Sequence, residues 1–487
     1  MSARWRLAAV LCALAAALAA GTAHAGVRPA YGGTIRIALP VLPRERDPAL
    51  ASEPADLLLA RATAGQLLEV TEDGRLAPGL LEEVPVPEAG GLAFRLRVRA
   101  GSRTASGAPL GAADVAHALE RLLSRARPSP HAWVALPILG ADALLAGRTA
   151  TLAGAQVLSP RELLLRLAFP LPELPWLLAS PALAIPGAGA FVPAASGAPS
   201  RSVELAPNPG AAAGLPFAGR LVLVAADARG AARLLEKGAL ELVVRPEAAG
   251  GVVTALPALT VTLVAVNAQR LGDAAPAVRA ALAAIDRAAL ARRFARGPAV
   301  ALATIVPPAL LGDPPPAPPG RPAPAGASAA RAPAAARPLR LLVPDDSPDA
   351  RAAAERIQVT LFDRGLRARL EPVPRAALAS QLAARDHDVA VLSVTVLAHR
   401  PALAAGQVAL AVAGPDAARR AMALLAGKEG ASAQDAAAAL SASLDVVPLF
   451  ATGLRVSAAP ALQGLAPGAD GAFDPGGLWL LGGGAPP

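Results

Sequence analysis

The sequence is almost empty of cysteine: Cys12 is the only one in 487 residues. No disulfide framework can be built from it, and Cys12 sits inside an apolar run behind Leu11, where a lipid-attachment site wants a small residue. Aromatic residues make up 3% of the chain and Tyr31 is the one tyrosine, so the stacking platforms of a single-strand binder are missing. The formal charge of +9 falls to +7 once Arg4 and Arg6 are removed with an N-terminal leader that holds no acid. Arginines scattered over helix faces and strands then read as a solvated surface, with no nucleic-acid partner expected. Long uninterrupted hydrophobic runs are lacking too, although 54% of the residues are hydrophobic. The stretch 174–200 holds Pro175, Pro181, Pro186, Pro193 and Pro199, and 248–269 holds Gly250, Gly251 and Pro257, so neither continues as an apolar helix.

The chemistry of catalysis is equally thin. His117, His131, His387 and His399 show no tight ligand spacing and no cysteine supports them, so neither a metal nor another cofactor is expected. There is no G-x-S-x-G elbow and no Walker A sequence, which removes the readiest enzymatic readings. Gly187-Ala-Gly189 lacks the later glycine of a phosphate-binding loop and reads as a tight backbone crossing. No enzyme is expected.

What is present begins at the N-terminus. Arg4 and Arg6 precede the apolar run from Leu7 to Ala20, and Ala23-x-Ala25 follows; this is the pattern of a secretory leader over residues 1–25, cut before Gly26. An exported chain of this length can do without disulfides, because a large domain buries a high fraction of its surface. Thr34 to Leu39 alternates apolar and polar, as does Leu92 to Arg99, with Leu92, Phe94, Leu96 and Val98 on one side; both read as strands. Val115, Ala118, Leu119 and Leu122 mark an amphipathic helix, and Val278, Leu282, Ile285 and Ala289 mark a second from Pro276 to Arg296, stopped by Gly297. From Leu339 the pattern runs strand, helix, strand, helix, strand to Val396, which implies an α/β sheet with helical crossovers. The Pro/Ala/Gly-rich segment 307–338 cannot fill a core and reads as a surface loop.

Taken in order, several motifs resemble the family 5 extracellular solute-binding proteins, the group that includes periplasmic dipeptide- and oligopeptide-binding proteins. They are Gly32-Gly-Thr-Ile-Arg-Ile-Ala38, Asp47-Pro48, Glu72-Asp-Gly-Arg-Leu-Ala-Pro-Gly79, Phe94-Arg-Leu-Arg-Val-Arg99 and Gly107-Ala-Pro-Leu-Gly-Ala-Ala-Asp-Val115. Glu204-Leu-Ala-Pro-Asn-Pro209 and Asp445-Val-Val-Pro-Leu-Phe450 follow in the same order. The resemblance implies an α/β, two-lobed periplasmic-binding-protein clamp of the type II (cluster C) kind with discontinuous lobes joined by a hinge. One lobe is expected over 26–270, with a sub-domain near 48–155 and the segment 451–487 returning to it; the other spans 271–450. It further implies a monomeric periplasmic receptor that closes on a peptide or other small-molecule ligand and hands it to an inner-membrane ABC permease and ATPase. A sensor or chaperone-like binding protein on the same scaffold is the alternative.

One departure bears on the ligand. Where many members follow the strand equivalent to Asp388–Ser393 with W-x-x-D-x-x-D-P, which supplies a carboxylate for a peptide amino terminus, this chain reads Val394-Thr-Val-Leu-Ala-His-Arg-Pro401. The ligand-facing candidates are therefore Glu53 in the loop after Asp47-Pro48, Trp133 as a stacking indole, Asn267 at a strand end near the first crossing, and Ser393 and Thr395 as hydroxyl donors. Each has a plain alternative: a surface carboxylate for Glu53, core packing for Trp133, a backbone-satisfying role for Asn267, and ordinary strand-end polarity for the two hydroxyls.

Overall fold

A computed structural model describes residues 28–71, 73–194, 202–212, 214–312, 337–468 and 471–482. The leader expected over 1–25 lies outside them, as does most of the Pro/Ala/Gly-rich segment. Strand Thr34–Leu39 forms as its alternation predicts, with Ile35, Ile37 and Leu39 buried. It lies at the centre of a seven-stranded sheet, parallel to Arg220–Ala225 and Leu242–Arg245. On the far side of Leu242–Arg245 comes Arg455–Ala458, antiparallel to both that strand and Val252–Ala255. The C-terminal segment thus returns to the sheet that the N-terminal segment begins.

A second sheet of six strands holds Thr260–Val266 between Val446–Thr452 and Val389–Thr395, followed by Leu339–Pro344 and Ala368–Val373. The strand–helix alternation anticipated from Leu339 onward is observed, with helices Pro348–Asp363 and Arg375–Ala383 as the crossovers. Thr260–Val266 falls before residue 270, on the first-lobe side of the expected boundary, yet it is a central strand of this second sheet. The reason is its composition: Val261, Leu263 and Ala265 face one buried cluster and Val264 and Val266 face another. Apolar on both faces, it has no place at a sheet edge. The chain therefore passes between the sheets over Leu256–Leu259 and back over Gly453–Leu454. These two segments run side by side, Leu256 N donating to Leu454 O at 2.8 Å. A side chain on Gly453 would meet the carbonyl oxygens of Leu256 at 2.6 Å and Pro257 at 2.8 Å, so glycine is what lets the two crossings touch.

A four-stranded antiparallel sheet, Pro87–Glu88, Ala93–Arg97, Glu162–Arg166 and Ala155–Ser159, stands apart from both large sheets and is covered by helix Ala112–Arg121. Phe94, Leu96 and Val98 are buried as the alternation requires, whereas Leu92 is 40% exposed because it lies in the turn before the strand. The single helix expected over Pro276–Arg296 is two, Ala275–Ala283 and Arg287–Phe294. Asp286 is the cause: its carboxylate accepts from Ala289 N at 2.9 Å and starts a new helix there. Gly297 is no cap; it approaches Gly453 O so closely that a Cβ would meet that oxygen at 2.3 Å. The start of the Pro-rich segment is also more ordered than its composition implies, since Pro308–Leu311 is a short helix with Leu311 buried. Gly187 to Gly189 does form a close crossing, a Cβ on Gly189 meeting Ala64 N at 2.5 Å.

Candidate ligand-binding cleft

The ends of both large sheets frame a cavity of about 440 Å³. One wall starts where strand Thr34–Leu39 ends, at Leu39, Pro40 and Val41, and continues through Glu53 and Arg61 on helix Pro54–Thr63. The opposite wall holds Ser393 and Thr395 with Val396 and Leu397, the turn Asp346-Ser347-Pro348-Asp349, and Arg375. Leu256, Pro257, Gly453 and Leu454 from the two crossings line it between them. Several of these elements are loops leaving strand ends and entering helix starts, the position at which open α/β sheets collect ligands.

Local sequence fixes the polar groups. Pro54 occupies the first helical turn, and the buried Asp56 accepts from the amides of Arg44 at 2.7 Å and Glu45 at 3.1 Å, tying the preceding loop to the helix. Glu53, at the cap position, makes no side-chain cap bond and instead reaches across to Arg375, whose Nη2 lies 3.0 Å from its Oε1. The same guanidinium binds Asp346 through Nε and Nη2, both at 3.1 Å. Burial pushes the Glu53 carboxyl up from its usual range, Arg375 opposes this, and the neighbouring Asp346 and Asp56 reinforce it. Asp349 is likewise raised by burial against the pull of Arg296, whose Nε is 3.6 Å away.

Three of the sequence candidates meet here: Glu53, Ser393 and Thr395 all line the cavity. Ser393 Oγ pairs with Thr262 Oγ1 at 3.0 Å and Thr395 Oγ1 with Thr260 Oγ1 at 3.2 Å, a hydroxyl ladder across two strands. The other two lie elsewhere. Trp133 is 1% exposed, in a core shared by the four-stranded sheet and the helices after residue 400, so its indole is packed inside the protein, away from the cavity. Asn267 stands at the opposite end of strand Thr260–Val266 from the crossing. There its Oδ1 accepts from Arg270 N at 3.1 Å and its Nδ2 donates to Arg385 O at 2.8 Å, the backbone-satisfying role. Arg61, Arg296, Asp346, Asp349 and Arg375 line the cavity and were not singled out by sequence; the available cue was the proline at two helix starts directly after strands, Pro348 and Pro374. No helix among the described residues is long and apolar enough to cross a membrane, and no group of three or more metal-ligating side chains occurs among them.

The sequence profile described as bacterial extracellular solute-binding proteins, family 5 Middle, matches residues 75–401. Among solved structures, the chain is similar to the murein tripeptide binding protein MppA of Escherichia coli, with a TM-score of 0.74 at 18% identity, covering 93% of this chain and 99% of that one. OppA of Haemophilus influenzae in complex with RPPGFSPFR gives 0.74 at 15% identity over 93% and 100%. AgaA from A. tumefaciens, in complex with agropinic acid, gives 0.70 at 17% identity over 92% and 99%. No curated protein matches in sequence. At these identities the structural likeness speaks for the fold: a two-lobed periplasmic-binding-protein architecture.

Proposed function

Because the chain belongs to the family 5 extracellular solute-binding proteins, whose members are binding proteins, we propose that it is the capture component of an ABC importer. It works outside the cytoplasmic membrane after its leader is cut before Gly26, as a monomer, and closes on a peptide or peptide-like solute. One lobe is built on the seven-stranded sheet and includes the returning C-terminal segment; the other is built on the six-stranded sheet. The crossings at Leu256–Leu259 and Gly453–Leu454 are the hinge. A permease and ATPase in the membrane receive the closed form.

The observation that carries this reading is that the cavity draws its walls from both lobes and its connecting side from both crossings. A guest touching both walls stabilises only the closed arrangement, so binding and closing are one equilibrium. The similar structures captured with a nonapeptide and with agropinic acid support small organic solutes as the class. The sensor or chaperone-like alternative draws on the missing strand-end carboxylate. Two measurements test the proposal: thermal shift against a panel of peptides and opine-like acids, and stimulation of the reconstituted permease–ATPase by the loaded chain. A ligand at a hundredfold its Kd raises stability by about 2.7 kcal/mol. A shift without ATPase stimulation would favour the alternative, and no shift with any solute would reject capture.

A further inference from the structure

The strand end on the second wall offers no carboxylate. After Thr395 the chain runs Val396-Leu397-Ala398-His399, with Val396 and Ala398 1% exposed. A ligand amine in this cavity needs its counter-charge from elsewhere. Among the described residues, six ionisable side chains line the cavity: Glu53, Asp346 and Asp349 against Arg61, Arg296 and Arg375. With the signs balanced, a guest enters at least cost if it is neutral overall, and a charged one does so by carrying both signs and exchanging partners with the walls.

Around Arg375 the balance is uneven. Its fork is engaged by Asp346 through two nitrogens at 3.1 Å, while Glu53 from the opposite wall receives one contact at 3.0 Å from a nitrogen it shares. One guanidinium thus serves two carboxylates, and at the half-exposed Glu53 the upward push of partial desolvation, reinforced by Asp346 and Asp56, is not fully offset by Arg375. Resting on the reading of the chain as a capture protein, we propose that Glu53 and Asp346 together hold the primary amine of a zwitterionic ligand, whose carboxylate pairs with the arginines of the cavity. An ammonium has three donors and can bridge the two acids. Because the acids come from opposite walls, the contact that recognises the amine also draws the walls together.

The test uses the purified chain with an equimolar pool of dipeptides and tripeptides and the same pool N-acetylated, occupancy being read by native mass spectrometry and affinity by calorimetry. The free-amine pool should bind and the acetylated pool should not. The double variant Glu53→Gln/Asp346→Asn should lose about ten- to a hundredfold in affinity for the selected peptide, the range of a charge-assisted hydrogen-bond pair. Circular dichroism and melting temperature verify that the variant is folded, which the isosteric changes and the part-exposed pairs favour. Equal binding of acetylated peptides, or an unchanged affinity in the folded double variant, overturns the amine anchor and leaves the capture reading intact. Silence of the wild-type chain toward every probe, with a response to non-peptide acids, also overturns the anchor and points to an anionic guest. Silence toward all solutes overturns both.

Discussion

At the scale of single residues, His131 shows how burial turns a common side chain into a pH liability. It is 2% exposed, and its Nε2 lies 2.7 Å from Ala51 O, so that nitrogen carries the proton. Burial lowers its pKa to about 4, with the Ala51 carbonyl pulling weakly the other way. An unfolded imidazole titrates near 6.5, so between roughly pH 6.5 and 4 the unfolded chain binds a proton that the folded chain refuses. Stability is untouched above that window and falls as pH drops through it, by about 2 kcal/mol at pH 5. Urea unfolding at pH 7 and pH 5 should show this loss in the wild type and its absence in His131→Gln; equal losses in both would show that the imidazole is not the source. Two positions away lies Trp133, which the sequence could not place. An indole after a turn looks the same whether it faces a ligand or a core, and only the helices arriving from beyond residue 400 decide the matter. Glu53, Ser393 and Thr395 are legible through the family resemblance, as the loop that lines the family's cleft and the strand end beside its altered carboxylate position, and all three line the cavity.

Secondary structure elements were read with more success where one period ran unbroken. The alternation from Leu339 to Thr395 needs only local patterning, and its strands and helices appear in order. The helix over Pro276–Arg296 was misjudged because its apolar stripe continues through a break that Asp286 enforces by capping. A stripe reports which side is buried and is silent on whether the backbone is continuous. The strand that ends at Thr395 depends on a distant side chain that no local pattern reveals. Gln407, 5% exposed on helix Pro401–Ala413, donates from Nε2 to Thr395 O at 2.8 Å and accepts from Leu397 N at 2.9 Å. Both bonds hold the stretch that lines the second wall. Replacement by leucine removes them together and leaves an amide and a carbonyl without partners, at about 1–3 kcal/mol for each group that water does not reach. Gln407→Leu should therefore unfold at lower denaturant concentration and bind any cleft ligand more weakly. A melting curve and affinity both equal to wild type would show that water replaces the glutamine.

For the whole molecule the decisive feature is contact between segments far apart in the chain, which a sequence pattern does not record. The boundary expected near residue 270 missed the crossing at Leu256–Leu259, since the run of apolar residues that follows looks alike in either sheet. At that crossing, Gly453 touches the carbonyls of Leu256 and Pro257 closely enough to exclude any side chain, and Gly453 N also donates to Pro298 O at 2.8 Å. Away from the two crossings, segments before and after residue 256 meet again: Arg375 joins Glu53, Arg419 joins Asp142, and Gly427 N donates to Glu173 Oε1 at 2.5 Å, while the Arg400 guanidinium sits 4.1 Å over the Trp176 ring. Contacts of this part-exposed kind are individually weak, but beneath them the four-stranded unit and the helices after residue 400 share buried apolar residues, Trp133 among them, so a wedge at the proposed hinge tests whether the two sides still move about it. Gly453→Val supplies that wedge. Forcing the crossings apart costs about 1–3 kcal/mol by overpacking, and with the crossings as the proposed hinge that cost is expected to fall on the arrangement in which the two walls meet across the cavity. The radius of gyration of the ligand-free variant should rise in small-angle scattering, and affinity for a cleft ligand should fall by the same free energy, about five- to a hundredfold. A variant that melts lower yet keeps wild-type scattering and affinity would show that the two crossings do not act as the hinge.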